Sequence, residues 1–339
     1  METNKKIILT GDRPTGKLHL GHYVGSLANR VKLQDEYDCY IIIADYQVLT
    51  DHLSDTAKVE KNIREILLDY LAVGIDPEKS TIFIQSAVPK LSELTLYFSF
   101  LVSVARLRQN PTVKTESLNA GLDSEKDNIT YGFLGYPVSQ VADILLFRAN
   151  LVPAGEDQRP HIELTREIAH RFNNLFGEVF PEPDILLSDA SRLPGLDGRK
   201  MSKSLGNAIN LSDTREEVEM KIAKAVTDPS RIHANDPGHP DICNIFQYYN
   251  AFSTPETVDE IRNMCESGKI GCRECKQRFS AIINDFLDPI RERRKKFEQD
   301  DDYLREVLHA GNERARMAGE ETMRLVRKAM KYDYPNLMK

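Results

Sequence analysis

Residues 7–26 read IILTGDRPTGKLHLGHYVGS, and this stretch decides the fold. The apolar run Ile7, Ile8, Leu9 ends in Gly11, a turn-rich segment follows, and helical spacing begins near Gly21. A strand, a loop and a helix N-terminus in that order form the cradle that α/β sheets use for phosphates and nucleotides. Gly16 and Gly21 place backbone without a Cβ where a ligand comes close. His19 and His22, three apart, face one side of the first helical turn, where two imidazoles can hydrogen-bond a triphosphate. The plain alternative is an ordinary βα turn whose histidines cap a helix.

Working outward, Cys39 to Ala44 (CYIIIA) is a continuous apolar run, as expected of a parallel strand covered on both faces, with Cys39 in the core. Val59, Ile63, Ile66, Leu67, Tyr70 and Leu71 have helical spacing, Gly74 stops them, and Thr81 to Gln85 (TIFIQ) is the next strand. Alternating strands and helices imply right-handed crossovers and an α/β fold with a doubly wound parallel sheet. Ligands of such sheets sit at the carboxyl ends of the strands, where Gly11 and Asp45 to Gln47 fall. An apolar helix from Ser92 to Arg106 and a polar loop over roughly 109–130, carrying Lys114, come next. A second apolar helix spans Pro137 to Arg148, with Tyr136 just before it and Gln140 and Asp143 spaced to point into one cavity. Asp143 lies among Val141, Ala142, Ile144 and Leu145, where an unpaired carboxylate is costly. Asp157 is placed as an N-cap for the helix that follows. Beyond residue 207 the strand pattern stops and helical periodicity dominates 212–333.

The composition, 41% hydrophobic and 29% charged over 339 residues, is that of a globular protein large enough for two domains. No run is long enough to span a bilayer, and the start METNKK does not read as a secretory signal, so a cytoplasmic location is expected. A net charge of -7 argues against nonspecific coating of nucleic acid. An RNA partner would need a local basic patch, for which Arg291, Arg293, Arg294, Lys295 and Lys296 are the candidates.

HLGH at 19–22 and KMSKS at 200–204, in that order, resemble the two signatures of class I aminoacyl-tRNA synthetases. Residues 152–173, VPAGEDQRPHIELTREIAHRFN, resemble the block that marks tryptophanyl-tRNA synthetases, and the likeness covers nearly the whole chain. The resemblance implies a Rossmann-like catalytic domain over 1–207 and a helical anticodon-binding domain over 208–339, the last helix packing back on the first domain. It implies activation of L-tryptophan by ATP with Mg2+, transfer to the 3′ end of tRNA(Trp), and a homodimer. By this likeness Arg13, Pro14, Thr15, Gly21, His22, Gly155, Glu156, Asp157, Leu193, Lys200, Met201, Ser202, Lys203 and Ser204 bind ATP. Thr15, His22, Lys200 and Lys203 would serve catalysis, with Lys114 assisting, and Tyr136, Gln140, Asp143, Gln158 and Gln47 would form the tryptophan pocket. Many bacterial relatives have methionine in place of Gln140 and histidine in place of Gln47, and Tyr136, Gln140 and Asp143 also resemble tyrosyl-tRNA synthetases. A tyrosyl enzyme and a noncatalytic synthetase-like RNA- or protein-binding paralogue are the alternatives; intact HLGH, GEDQ and KMSKS speak against the paralogue.

Four of the five cysteines, Cys243, Cys265, Cys272 and Cys275, fall within 33 residues, and the last two form a CxxC pair. The span has no histidine, so a metal site there is all-thiolate and suits a [4Fe-4S] cluster or structural zinc. Four reduced core thiols are the third option. The spacing resembles that of tryptophanyl-tRNA synthetases with a cluster in the anticodon-binding domain, the first gap being one residue shorter. There the cluster would orient a base-reading side chain such as Arg231.

Overall fold

The computed structural model describes residues 5–50, 53, 56–119, 129–187, 193–203, 205–233 and 235–334. Five parallel strands form one sheet in the order β3-β2-β1-β4-β5: β1 Ile7–Asp12, β2 Asp38–Ile43, β3 Ser80–Ile84, β4 Leu151–Ala154 and β5 Asp184–Leu187. Ile7 opposes Asp38 and Asp12 opposes Ile43, so β1 and β2 end together beneath the loop that follows Asp12. The continuous apolar runs read from the sequence are these inner strands, buried on both faces.

Helices cover both faces. After β1 come α1 Leu20–His22 and α2 Ala28–Glu36, joined by a widened turn over Tyr23–Leu27, a feature common at functional sites. Next, α3 Val59–Val73 stops at the left-handed Gly74, as the sequence reads. The single helix expected from Ser92 to Arg106 is two, α4 Lys90–Ser99 and α5 Val104–Arg108, because the Ser103 hydroxyl accepts from the Arg106 amide and caps a new helix. Part of the expected polar loop is likewise helical, α6 Pro111–Asn119, while 120–128 lie outside the described residues. Helix α7 Tyr131–Leu146 starts earlier than Pro137, at the Thr130 cap, with the proline inside it. Asp157 is not an N-cap: it sits in the tight turn Glu156–Gln158, which runs straight into α8 Arg159–Phe176.

The remaining helices are α9 Arg215–Ala223, α10 Asn244–Phe252, α11 Pro255–Glu266, α12 Cys272–Glu298 and α13 Asp301–Met330. One core packs α3, α10 and α12 around Tyr70, Tyr248, Tyr249 and Phe279, and the other packs α4, α7, α8 and α13 around Phe83, Phe98 and Phe172. Helix α13 lies against β3, where Asn312 Oδ1 accepts from the Ile84 amide at 2.9 Å. A Cβ on Gly311 would sit 1.8 Å from the Ile82 carbonyl oxygen, so glycine permits this approach.

The expected RNA-binding patch is largely committed elsewhere. Arg294 is buried against Asp69 and Glu65, Arg291 bonds Asp288, Asn284 and the Asp213 carbonyl, and Arg293 donates to Ala72 O. Lys295 and Lys296 are exposed.

Candidate active site

A cavity of about 800 Å³ opens at the carboxyl ends of β1, β2 and β4. Among the residues expected to bind substrate, Arg13, Gly21, His22, Gln47, Tyr136, Gln140, Asp143, Gly155, Asp157, Gln158, Leu193, Lys200 and Met201 line it. Pro14, Thr15, Glu156, Ser202 and Lys203 do not, and Ser204 lies outside the described residues. Glu156 faces solvent and pairs with Arg159, and Lys114 is exposed.

At the inner end, Asp143 on α7 is buried. The Gln85 Nε2 donates to both its oxygens, at 2.8 and 2.9 Å, and Gln47 Nε2 stands 3.4 Å from Oδ2. The Tyr46 amide donates to Gln85 Oε1 at 3.1 Å, which fixes that amide with its nitrogen toward the carboxylate. Burial, more than these bonds offset, pushes the Asp143 carboxyl up to about 7. Tyr136 packs on His161, with ring centroids 5.7 Å apart. Burial raises the tyrosine hydroxyl's pKa and lowers His161 to about 4, leaving a neutral imidazole at pH 7.

At the outer end, the His19 and His22 rings lie 3.8 Å apart. Burial brings them down to about 3 and about 4, helped for His19 by His22 and Lys203. Both are therefore neutral at pH 7. His22 Nδ1 accepts from the His19 amide at 3.2 Å, which leaves its Nε2 to carry the proton.

The two signature segments meet directly. Met201 Sδ is 3.3 Å from the Gly21 amide nitrogen, and Lys203 Nζ donates to Gly16 O at 2.8 Å with Thr15 Oγ1 at 3.3 Å. Asn207, nearly buried, holds the loop: its Oδ1 accepts from Ser202 N, and its Nδ2 donates to Lys200 O and Asp197 Oδ1. Behind the first loop, Asp12 Oδ2 accepts from Arg30 Nη1 at 2.6 Å and Tyr70 OH at 2.7 Å. Burial pulls Asp12 up, but the Arg30 guanidinium, with help from His22 and the two hydrogen bonds, holds it down at about 2.

Over residues 1–288 the chain matches the family described as tRNA synthetases class I (W and Y). The chain belongs to the class I tRNA synthetases. Two curated relatives of this synthetase are each named tryptophan-tRNA ligase and are 48% identical. That of Thermotoga maritima aligns over 95% of this chain and 98% of its own, and that of Streptococcus pneumoniae over 98% and 99%. A solved tryptophanyl-tRNA synthetase from Campylobacter jejuni, complexed with ADP and tryptophan, superposes with a TM-score of 0.85 at 30% identity, over 96% of this chain and 99% of that one.

The synthetase's second feature is a cavity of about 20 Å³ lined by Cys243, Cys265, Cys272 and Cys275 with Thr227, Asp228, Arg231 and Ile245. Cys243 caps α10 and Cys272 opens α12, so two positive helix ends face the thiols. Arg231 Nη1 lies 4.0 Å from Cys265 Sγ and from Cys272 Sγ, and its Nη2 donates to Ile270 O at 2.7 Å. A Cβ on Gly238 would come within 2.5 Å of Cys265 Sγ. Burial raises the Cys243 and Cys265 thiols and takes Cys275 up to about 12. Among the described residues, no three His, Cys, Asp or Glu side chains stand where they could hold a metal ion.

Gln85, Asn207, Asp12 and Arg30 were missed in reading the sequence. Only Gln85 left a signal there, as a polar residue closing an apolar strand at the sheet's carboxyl edge.

Proposed function

We propose that this synthetase activates L-tryptophan with ATP to tryptophanyl-adenylate and transfers it to the 3′ end of tRNA(Trp). The observation that carries the reading is the buried Asp143, aimed by Gln85 into the same cavity that His22, Lys200 and Met201 line. The substrate indole N–H donates to Asp143, between Tyr136, Gln140, Gln47 and Gln158. An amino acid without that donor leaves Asp143 only its bonds from Gln85 and Gln47 and forfeits one charge-assisted hydrogen bond, a discrimination of about ten- to a hundredfold. ATP lies across Arg13, Gly21 and His22, with Gly155 and Asp157 toward its ribose.

The tryptophan carboxylate attacks the α-phosphorus and pyrophosphate leaves. No protein nucleophile is needed, so catalysis is positioning and charge stabilisation, with Mg2+ neutralising phosphate charge when bound. Lys200 and Lys203 follow the departing pyrophosphate, Lys203 leaving Gly16 O to do so. In the second step the tRNA 2′-hydroxyl attacks the carbonyl carbon of the adenylate, the bond from that carbon to the phosphate oxygen breaks, and AMP and the hydroxyl proton leave. Exchange of labelled pyrophosphate into ATP, run across the twenty amino acids, is expected to depend on tryptophan. Exchange with tyrosine alone would reverse the assignment.

Residues 1–207 serve catalysis and 208–339 the anticodon, with α13 returning to the sheet. Large apolar side chains exposed on α4, α5, α6 and the start of α7, among them Leu96, Val104, Leu118 and Tyr131, support a homodimer. A monomeric mass by light scattering at micromolar concentration would refute it. No helix of the described residues is long and apolar enough to cross a membrane, and the enzyme is proposed to be cytoplasmic.

The four thiols around one cavity, with Arg231 and two helix N-termini to offset thiolate charge, suit an all-sulfur metal site. A single zinc requires four sulfurs at about 2.3 Å. The cysteine spacing, which resembles that of cluster-bearing tryptophanyl-tRNA synthetases, makes a [4Fe-4S] cluster the preferred occupant over zinc. Anaerobically purified protein is expected to carry about four irons per chain. One zinc without iron would decide for zinc, and four titratable thiols in folded, metal-free protein would exclude both.

A further inference from the structure

A buried charge cluster lies beneath the loop from Arg13 to His19. Asp69, fully buried on α3, accepts a hydrogen bond from the Leu18 amide at 2.7 Å. Its other oxygen pairs with Nη1 of Arg294 on α12, a guanidinium that is only 3% exposed and also bonds Glu65 and Glu298. The opposite side of Leu18 is held as well, since its carbonyl accepts from the Leu211 amide at 2.9 Å. The residue before His19 is thus clamped at both backbone groups, once from α3 and α12 and once from the segment that follows Lys203. Two residues earlier, Gly16 O receives Lys203 Nζ.

A buried ion pair is a poor source of stability, because removing two charges from water offsets most of their attraction. Its use here lies in direction: Arg294, itself held through Nη2 by Glu65 and through Nε by Glu298, presents Nη1 to one oxygen of Asp69 and so keeps the other oxygen on the Leu18 amide. We propose that Asp69 and Arg294 are positioning residues for the activation step, with Arg294 fixing Asp69 and Asp69 fixing the loop on which ATP and Lys203 depend. The proposal rests on reading the cavity as the site of tryptophan activation. Because α12 begins at Cys272, one helix carries both the edge of the four-thiol cavity and the loop's anchor.

The parent and two variants are compared in tryptophan-dependent pyrophosphate exchange, with thermal unfolding alongside. The double variant Asp69→Leu, Arg294→Met removes both charges together, so neither is left buried alone, and takes the acceptor from Leu18. Its kcat/KM for ATP is expected to fall about ten- to a hundredfold, as misplacement of a reacting group does, while KM for tryptophan stays within about twofold. Arg294→Lys keeps the buried cation, but one ammonium cannot hold Asp69 and Glu65 as the fork does, so the same split is expected. This variant gives the answer if the double variant does not fold. A parent-like kcat/KM for ATP, whether or not Tm falls, or an equal rise in KM for ATP and for tryptophan, would overturn the proposal. A parent enzyme that shows no exchange with tryptophan would instead overturn the activation reading, and the role of the pair with it.

Discussion

The Gln85 side-chain nitrogen lies 2.8 Å from one oxygen of Asp143 and 2.9 Å from the other. The carboxylate that would read the indole is therefore aimed by a strand terminus rather than by its own helix. Gln85→Met keeps the volume and deletes both bonds. It is expected to cost about 2 kcal/mol of stability by urea unfolding, because the acceptor is buried and charge-bearing. It should also raise KM for tryptophan about tenfold or more, with KM for ATP unchanged. Equal rises in both would assign Gln85 to general packing.

The pH dependence follows from Asp143 itself. Its folded-state pKa, about 7, stands above an unfolded value near 3.9, so the folded state holds the proton more tightly. Between about pH 4 and 7 the native protein binds more protons than the unfolded chain, and stability from this group falls as pH rises, by on the order of 4 kcal/mol in all. Tryptophan binding runs the other way, since an ionised carboxylate is the stronger acceptor for the indole N–H. Measured from pH 5.5 to 8, KM for tryptophan is expected to fall through about pH 7 in the parent and to stay flat in Asp143→Asn. A flat profile in both would remove Asp143 from recognition.

The sheet was legible because β1, β2 and β3 are apolar on both faces and read as unbroken runs. The edge strand Asp184–Leu187 has only the short apolar run Ile185 to Leu187, no position of which is buried, and the sequence reading does not include it. Helix ends are not legible where one side chain decides them: Ser103 starts a new helix, and Pro137 sits inside α7 rather than at its start. In the site, glycine and histidine spacing placed the loops on the right edge of the sheet. The side chains that hold the readers in place act across long stretches of chain, Gln85 on Asp143 over 58 residues and Arg294 on Asp69 over 225, and no local period records such a pair. Arg294 and its neighbours, read as a candidate basic patch for an RNA partner, show the same limit: burial is a property of the packed helices, not of the charge run.

Helix α13 offers a test of packing alone. Gly311→Ala would put a Cβ 1.8 Å from the Ile82 carbonyl oxygen, a backbone atom of β3 that cannot step aside without moving the strand. A loss of about 3 kcal/mol or more is expected in urea unfolding, the upper end of overpacking costs. A loss under about 1 kcal/mol would mean that α13 slides freely on the sheet.

Lys203 carries the last prediction. Burial lowers its pKa, while Asp12 and Asp69 act against that and favour the charged form. The ammonium rests on Gly16 O and beside Thr15 Oγ1, poised at the loop rather than in the cavity wall. Its proposed work begins only as pyrophosphate acquires charge, so it should contribute to the transition state far more than to the ground state. Lys203→Ala is therefore expected to lower kcat for pyrophosphate exchange about 10²- to 10³-fold, the usual loss when one charge-stabilising donor is removed. Equilibrium binding of tryptophan should change less than about twofold. The chain contains no tryptophan, so indole fluorescence reports the substrate alone and makes that second measurement direct. Weaker tryptophan binding with an unchanged rate would place Lys203 in substrate capture and remove it from the chemical step.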